Sequence, residues 1–205
     1  MTQSGGYIDK NGKDKAMMNQ TFIEAIEAST VIGAVKSMEG LEKCLTSEVG
    51  VVFILFGDIC NIGELVQRVK DSGKLAMVHM DLIVGLSAKE IAVDFIKKYT
   101  AADGIISTKA ALIKRAGELG LYTVLRFFVI DSLAFENIGR QIGTARPDVI
   151  EVLPGLMPKV IGRLTKMCHV PVIAGGLIGD KEDVMAMLDA GAMAISSTNE
   201  STWFL

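Results

Sequence analysis

Aromatic side chains make up only 6% of the 205 residues, so aliphatic groups must fill any core, with 11 methionines to help. Cys44, Cys60 and Cys168 are far apart in the chain and match no zinc or redox spacing. An odd cysteine count argues against a secreted disulfide framework, so buried, reduced thiols in a cytoplasmic protein are expected. Positive charge is not in excess, with a formal net charge of -3, which excludes a generally basic nucleic-acid binder. No apolar stretch reaches the ~20 residues of a membrane-crossing helix. The polar opening "MTQSGGYIDKNGKDKAMMNQ" lacks the apolar segment of a signal peptide. Residues 1–17 therefore read as a flexible extension, with the folded part over 18–205.

Half of the residues are apolar, and they recur in short runs: "TVIGAV", "VVFILF", "LAMVHM", "DGIIS", "LYTVLRFFV", "DVIEVL", "VPVIA" and "AMAIS". Continuous Val/Ile/Leu runs of this length fit strands buried on both faces, which means a parallel sheet. Helical patterns separate them. Ser87 and Glu90 form a capping-box pattern before "IAVDFIKKY". A helix after the fourth run begins at Thr108 and closes at Gly120, and another runs from Asp180 to Gly191. Eight βα repeats predict a single-domain α/β protein, a (β/α)8 TIM-type barrel that is small for the fold. Its helices must be short, notably the one after the second strand. An open doubly wound sheet lacks support, because no G-x-G-x-x-G follows the first run.

Residues two apart share a face of a strand. On that basis Val52, Ile54 and Phe56 lead to Asp58, Met77 leads to His79 and Asp81, and Asp103 and Ile105 lead to Ser107 with Lys109 beyond. Tyr122 and Val124 lead to Arg126, Val149 to Glu151, and Ile32 and Ala34 to Lys36. These polar groups gather at the carboxyl ends of the strands, the face where barrels hold ligands. Buried charges of both signs cost several kcal/mol each unless paired or solvated, so the set implies a wet pocket. Arg126 with Glu151 also reads as a structural ion pair, and Asp58 as a loop cap. Gly175-Gly176 after the seventh run and Ser196-Ser197-Thr198 after the eighth supply a phosphate cradle, and Lys109 is placed to help neutralise the phosphate.

Catalytic machinery is not evident, and no catalytic residue is assigned. Lys36 is the one candidate for a Schiff-base lysine, but nothing marks a lowered pKa. Only two histidines occur, and His169 precedes the seventh strand at the far rim. His79, Asp81 and Asp58 are the one conceivable metal set; no metal is expected.

The segments "FGDICNIGELV", "VHMDLIVGLSAKE", "DGIISTKAALIKRAGELGL", "RFFVIDSLAFENI", "IEVLPGLMPKVI" and "PVIAGGLIGDKEDVMAMLDAGAMAISSTNESTWF" resemble the glycerol uptake operon antiterminator regulatory protein family, from Asn19 to Leu205. The resemblance implies a barrel that responds to glycerol 3-phosphate, binds the leader mRNA of glycerol-utilisation genes, and acts as a cytoplasmic regulator with no enzyme activity. Glycerol 3-phosphate would be its effector, with no cofactor. Gly175, Gly176, Ser196 and Ser197 would hold the phosphate with Lys109 nearby. Asp58, His79, Asp81, Ser107, Arg126 and Glu151 would face the glycerol moiety or frame the pocket. For RNA, Lys159, Arg163 and Lys166 share a helix face, with Lys97-Lys98 and Lys114-Arg115 as further basic groups. A homo-oligomer stays open, and a barrel epimerase or isomerase acting on a small phosphorylated sugar is the alternative reading.

Overall fold

Parallel strands buried on both faces must close on themselves or be covered, and here they close. The computed structural model describes residues 21–205, so the expected extension over 1–17 lies outside the described residues. Helix α1 covers residues 21–28. It is followed by β1 (Val31–Val35), α2 (Met38–Leu45), β2 (Val51–Ile54), α3 (Ile62–Asp71), β3 (Leu75–His79) and α4 (Ile91–Tyr99). The chain continues with β4 (Gly104–Ser107), α5 (Ala110–Glu118), β5 (Tyr122–Phe128), α6 (Ser132–Ala145), β6 (Val149–Leu153), α7 (Pro158–Met167), β7 (Val172–Gly175), α8 (Lys181–Asp189) and β8 (Ala194–Ser197). The eight strands pair in chain order as a closed parallel barrel, sealed where Ile32 and Gly33 of β1 lie opposite Ser196 and Ser197 of β8.

Two apolar layers hold this arrangement. Inside, Ile32, Ala34, Val51, Phe53, Met77, Ile106, Val124, Val149, Ile173 and Ala194 pack together. Outside, the opposite strand faces meet the helices, with Val52, Ile54, Ile105 and Ile150 against residues such as Leu65, Val69 and Ile113. Helix α1, which the periodicity of the chain does not announce, stoppers the amino-terminal end of the barrel. Its Phe22 and Ile26 are fully buried, and Phe22 stacks on Tyr122 at 4.7 Å.

This layering corrects the expected phase of two strands. Val52 and Ile54 face the helices, whereas Val51 and Phe53 face inward, so the inward path of β2 does not lead to Asp58. Likewise Ile106 faces inward and Ile105 outward, so Ser107 lies on the outer parity. A strand apolar on both faces carries no alternation, and its phase cannot be read from hydrophobicity. Helix lengths also differ: α2, with 8 residues, is shorter than α3, with 10. The Asp180 side chain caps α8 by accepting from the Asp183 N–H at 2.8 Å, and Gly120 and Gly191 follow α5 and α8 with positive φ. Helix α5 starts at Ala110 rather than Thr108. The Ser87–Glu90 capping box does not form. A bridge from Asp58 to Val84 and the turn at Gly85 occupy the chain before it, and α4 starts at Ile91 without a side-chain cap.

Gly104 leaves no room for a side chain in the barrel wall. A Cβ on it would stand 2.4 Å from the Tyr122 carbonyl oxygen and 2.6 Å from Met77 Cε. Gly104→Ala is expected to lower stability by about 1–3 kcal/mol. Gly139→Ala, in α6 with nothing within 4 Å of the added carbon, should raise it by about 0.5–1 kcal/mol. Urea unfolding midpoints of the two variants check both signs.

Candidate functional site

The inward positions near the carboxyl ends of β5 and β6 carry opposite charges. Arg126 and Glu151 are register partners on these neighbouring strands. They are 7% and 0% exposed, and Arg126 Nε donates to Glu151 Oε2 at 2.5 Å. The second carboxylate oxygen accepts from the Ser196 hydroxyl of β8. That contact passes over β7, between the two strands, and only a residue without a side chain leaves the space. A Cβ on Gly175 would sit 2.5 Å from Ser196 Oγ and 2.6 Å from Glu151 Oε1. A lone buried carboxylate costs several kcal/mol; here each oxygen has a donor.

Above this pair opens a cleft of about 430 Å³, which brings together Lys36, Arg126, Glu151, Gly176, Ser196 and Thr198. Its floor is the ion pair, and one wall is the turn after β7. Gly176 has φ +78, which glycine adopts freely. Leu177 follows with φ +65 and is 75% exposed, a backbone state costing a non-glycine residue about 1–2 kcal/mol. This turn leaves donors unspent: the N–H groups of Leu177, Ile178 and Thr198 reach no acceptor among the described residues. Ser197 also lines the cleft, but its hydroxyl donates to the Ile178 carbonyl at 2.8 Å and accepts from the Asn199 N–H. It braces the β7 turn against β8.

The remaining expected pocket residues do not line the cleft. Gly175 lies beneath it, making room for Glu151 and Ser196. Asp58 caps its own loop, accepting from the N–H groups of Cys60 and Asn61. Asp81 is occupied by the Lys109 ammonium, the Thr108 N–H and hydroxyl, and the Ser107 hydroxyl. Burial works to raise the Asp81 pKa, but bonds from Lys109, Thr108 and Ser107 outweigh it and hold the carboxyl below its usual range. Lys109 is thereby engaged away from the cleft, and Ser107, fully buried, belongs to the same knot. Lys36 continues the inward parity of Ile32 and Ala34, and the β1–β8 closure brings it to the same cleft as Thr198. Asp58, His79 and Asp81 do not converge, and no cluster of three or more His, Cys, Asp or Glu able to hold a metal occurs among the described residues. Lys159, Arg163 and Lys166 are exposed on α7, with the Arg163 guanidinium 4.4 Å from the Phe135 ring centre.

His79 is 2% exposed and points inward from β3, with Nδ1 lacking a partner among the described residues. Burial pushes its pKa from the ordinary 6.5 down to about 4; Arg126 acts in the same direction and Asp81 opposes. A histidine whose pKa is lower in the folded state supports the fold fully above about 6.5, and this support is lost as pH falls toward 4. The parent protein should lose stability on the order of 3 kcal/mol from this source between pH 6.5 and 4. His79→Gln should show a shallower loss in urea unfolding over that range. Parallel curves for the two proteins would rule out His79 as the source.

A family model described as glycerol-3-phosphate responsive antiterminator matches residues 31–203. Escherichia coli (strain K12) YgcP is 43% identical over 184 residues, covering 90% of this chain and 96% of its own. A glycerol uptake operon antiterminator regulatory protein from Listeria monocytogenes superposes with a TM-score of 0.82 at 33% identity, covering 85% of this chain and 94% of that one. A glycerol uptake operon antiterminator-related protein from Thermotoga maritima does so with a TM-score of 0.76 at 38% identity, covering 85% and 98%. Aldolases with the same barrel stand at 10–14% identity and share the fold alone. With nearly every element of the barrel matched, from β1 through β8, the chain belongs to the glycerol-3-phosphate responsive antiterminator family.

Proposed function

We propose that this protein is a regulator that binds glycerol 3-phosphate in the cleft and, in response, engages the leader mRNA of glycerol-utilisation genes to prevent early termination. The observation that carries the reading is the set of unspent main-chain donors at the turns after β7 and β8. Backbone N–H groups at these two strand ends are the usual phosphate cradle of barrel proteins. The cleft is large for a three-carbon polyol phosphate, which leaves room for solvent around it. Arg126 on its floor gives only its Nε–H to Glu151 and has further N–H groups to offer a ligand's hydroxyls.

Regulation fits the carboxylates better than catalysis does. Glu151 and Asp81 already accept from protein donors on both oxygens. A general base must be able to reach the proton it abstracts, and these groups are committed elsewhere. For RNA, the exposed cations Lys159, Arg163 and Lys166 supply one basic face on α7, in a protein whose net charge of -3 supplies none globally. Binding through such a local face depends steeply on salt.

Glycerol 3-phosphate at about 100 times its Kd should stabilise the protein by about 2.7 kcal/mol, read as a rise in melting temperature. Gly176→Ala, which crowds the β7 turn, should reduce that rise while unfolding stays cooperative. Equal ligand-induced shifts in both proteins would move the phosphate elsewhere. Leader RNA retained on the liganded protein should be released as salt rises, and replacing Lys159, Arg163 and Lys166 together by Gln should weaken retention. Turnover of triose or pentose phosphates would instead identify a barrel enzyme.

A further inference from the structure

The cleft contains a cation with no counter-charge. Lys36 lies just past the end of β1, exposed at the mouth, and pairs with no carboxylate among the described residues. The other cleft charges cancel, because Arg126 and Glu151 bind each other. The cleft is therefore positive by one unit, and Lys36 is the source. Lys109, the lysine that sequence considerations place at the phosphate, is instead paired with Asp81.

The barrel closure positions Lys36 beside the unspent donors. Gly33 lies opposite Ser197 in the β1–β8 register, so Lys36 and Thr198 follow the carboxyl ends of neighbouring strands. Thr198 lines the same cleft, and neither its N–H nor its hydroxyl has a partner among the described residues. Across the opening stand the free N–H groups of Leu177 and Ile178. Main-chain donors alone hold a dianion without neutralising it. An ammonium on a flexible stem adds the missing charge and adapts to the position of the anion.

We propose that Lys36 is the counter-charge for the anionic end of a phosphate monoester in this cleft. Resting on the ligand class proposed above, this orients the molecule. Its phosphate sits at the β1–β8 corner, between Lys36, Thr198 and the β7 turn, and its hydroxylated end faces Arg126 and Glu151. Lys36 thereby distinguishes the phosphorylated polyol from the neutral one.

Because Lys36 has no partner among the described residues, Lys36→Gln should leave the fold intact. The test titrates glycerol 3-phosphate and glycerol, by calorimetry at several salt concentrations, into the parent protein, Lys36→Gln, Lys36→Arg and Lys109→Gln. The unliganded melting temperature of Lys36→Gln should equal that of the parent. Its affinity for glycerol 3-phosphate should fall roughly tenfold, the effect of losing one charge-assisted contact, with a weaker salt dependence. Lys36→Arg should recover most of the loss, and Lys109→Gln should bind more tightly than Lys36→Gln. Glycerol should bind the parent and Lys36→Gln alike. Parent affinity and salt dependence in Lys36→Gln, with the parent binding normally, would overturn the role of Lys36 alone. A parent that binds no glycerol 3-phosphate would overturn the reading of the cleft itself, and this inference with it.

Discussion

A carboxylate removed from water must be met by donors, and the upper end of this barrel is arranged around that requirement at Glu151. One oxygen is held by Arg126 from the neighbouring strand and the other by Ser196 from two strands away. The second contact crosses the space left by the missing side chain of Gly175. A buried pair of this kind contributes little net stability, but breaking it by losing one partner is costly. The pair therefore ties β5, β6 and β8 into one spacing and gives the cleft a polar floor.

Above that floor, the distribution of spent and unspent groups decides what the protein can do. Asp58 and Asp81 are committed to loop and side-chain donors. Ser197 braces the turn after β7. What remains available is the main chain of that turn, Thr198 and Lys36. Such a set is suited to an anion. A positive-φ leucine at the same turn holds the backbone in a costly shape, a feature that clusters at functional sites. Membership of the glycerol-3-phosphate responsive antiterminator family is in keeping with the regulatory role proposed for it.

Arg126, Glu151, Gly176 and Ser196 were legible as cleft residues because each sits on an inward strand position or just beyond a strand end. Strand alternation places Asp58 and Ser107 in the pocket and position just past the fourth strand places Lys109 there, yet each is engaged elsewhere. Two of these displacements have one cause. Strands β2 and β4 are apolar on both faces, so their phase is invisible until one layer of helices and one interior layer are assembled. Alternation puts His79 on the inward face that it occupies, but its burial and its orphaned Nδ1 come from neighbours distant in sequence.

The order and number of strands, their parallel pairing and the helix stops at Gly120 and Gly191 all follow from local patterns of burial and turn chemistry, which short stretches of chain encode directly. Closure of β1 on β8 is of another kind. It joins residues more than 160 positions apart, and through it Lys36 comes to stand beside Thr198. Whether a charged side chain is free or spent likewise depends on partners that only folding delivers: Lys109 meets Asp81 across 28 positions, and Glu151 meets Ser196 across 45. Local stretches could state which residues were polar and near a strand end. Long-range packing settled which of them still had a bond to give.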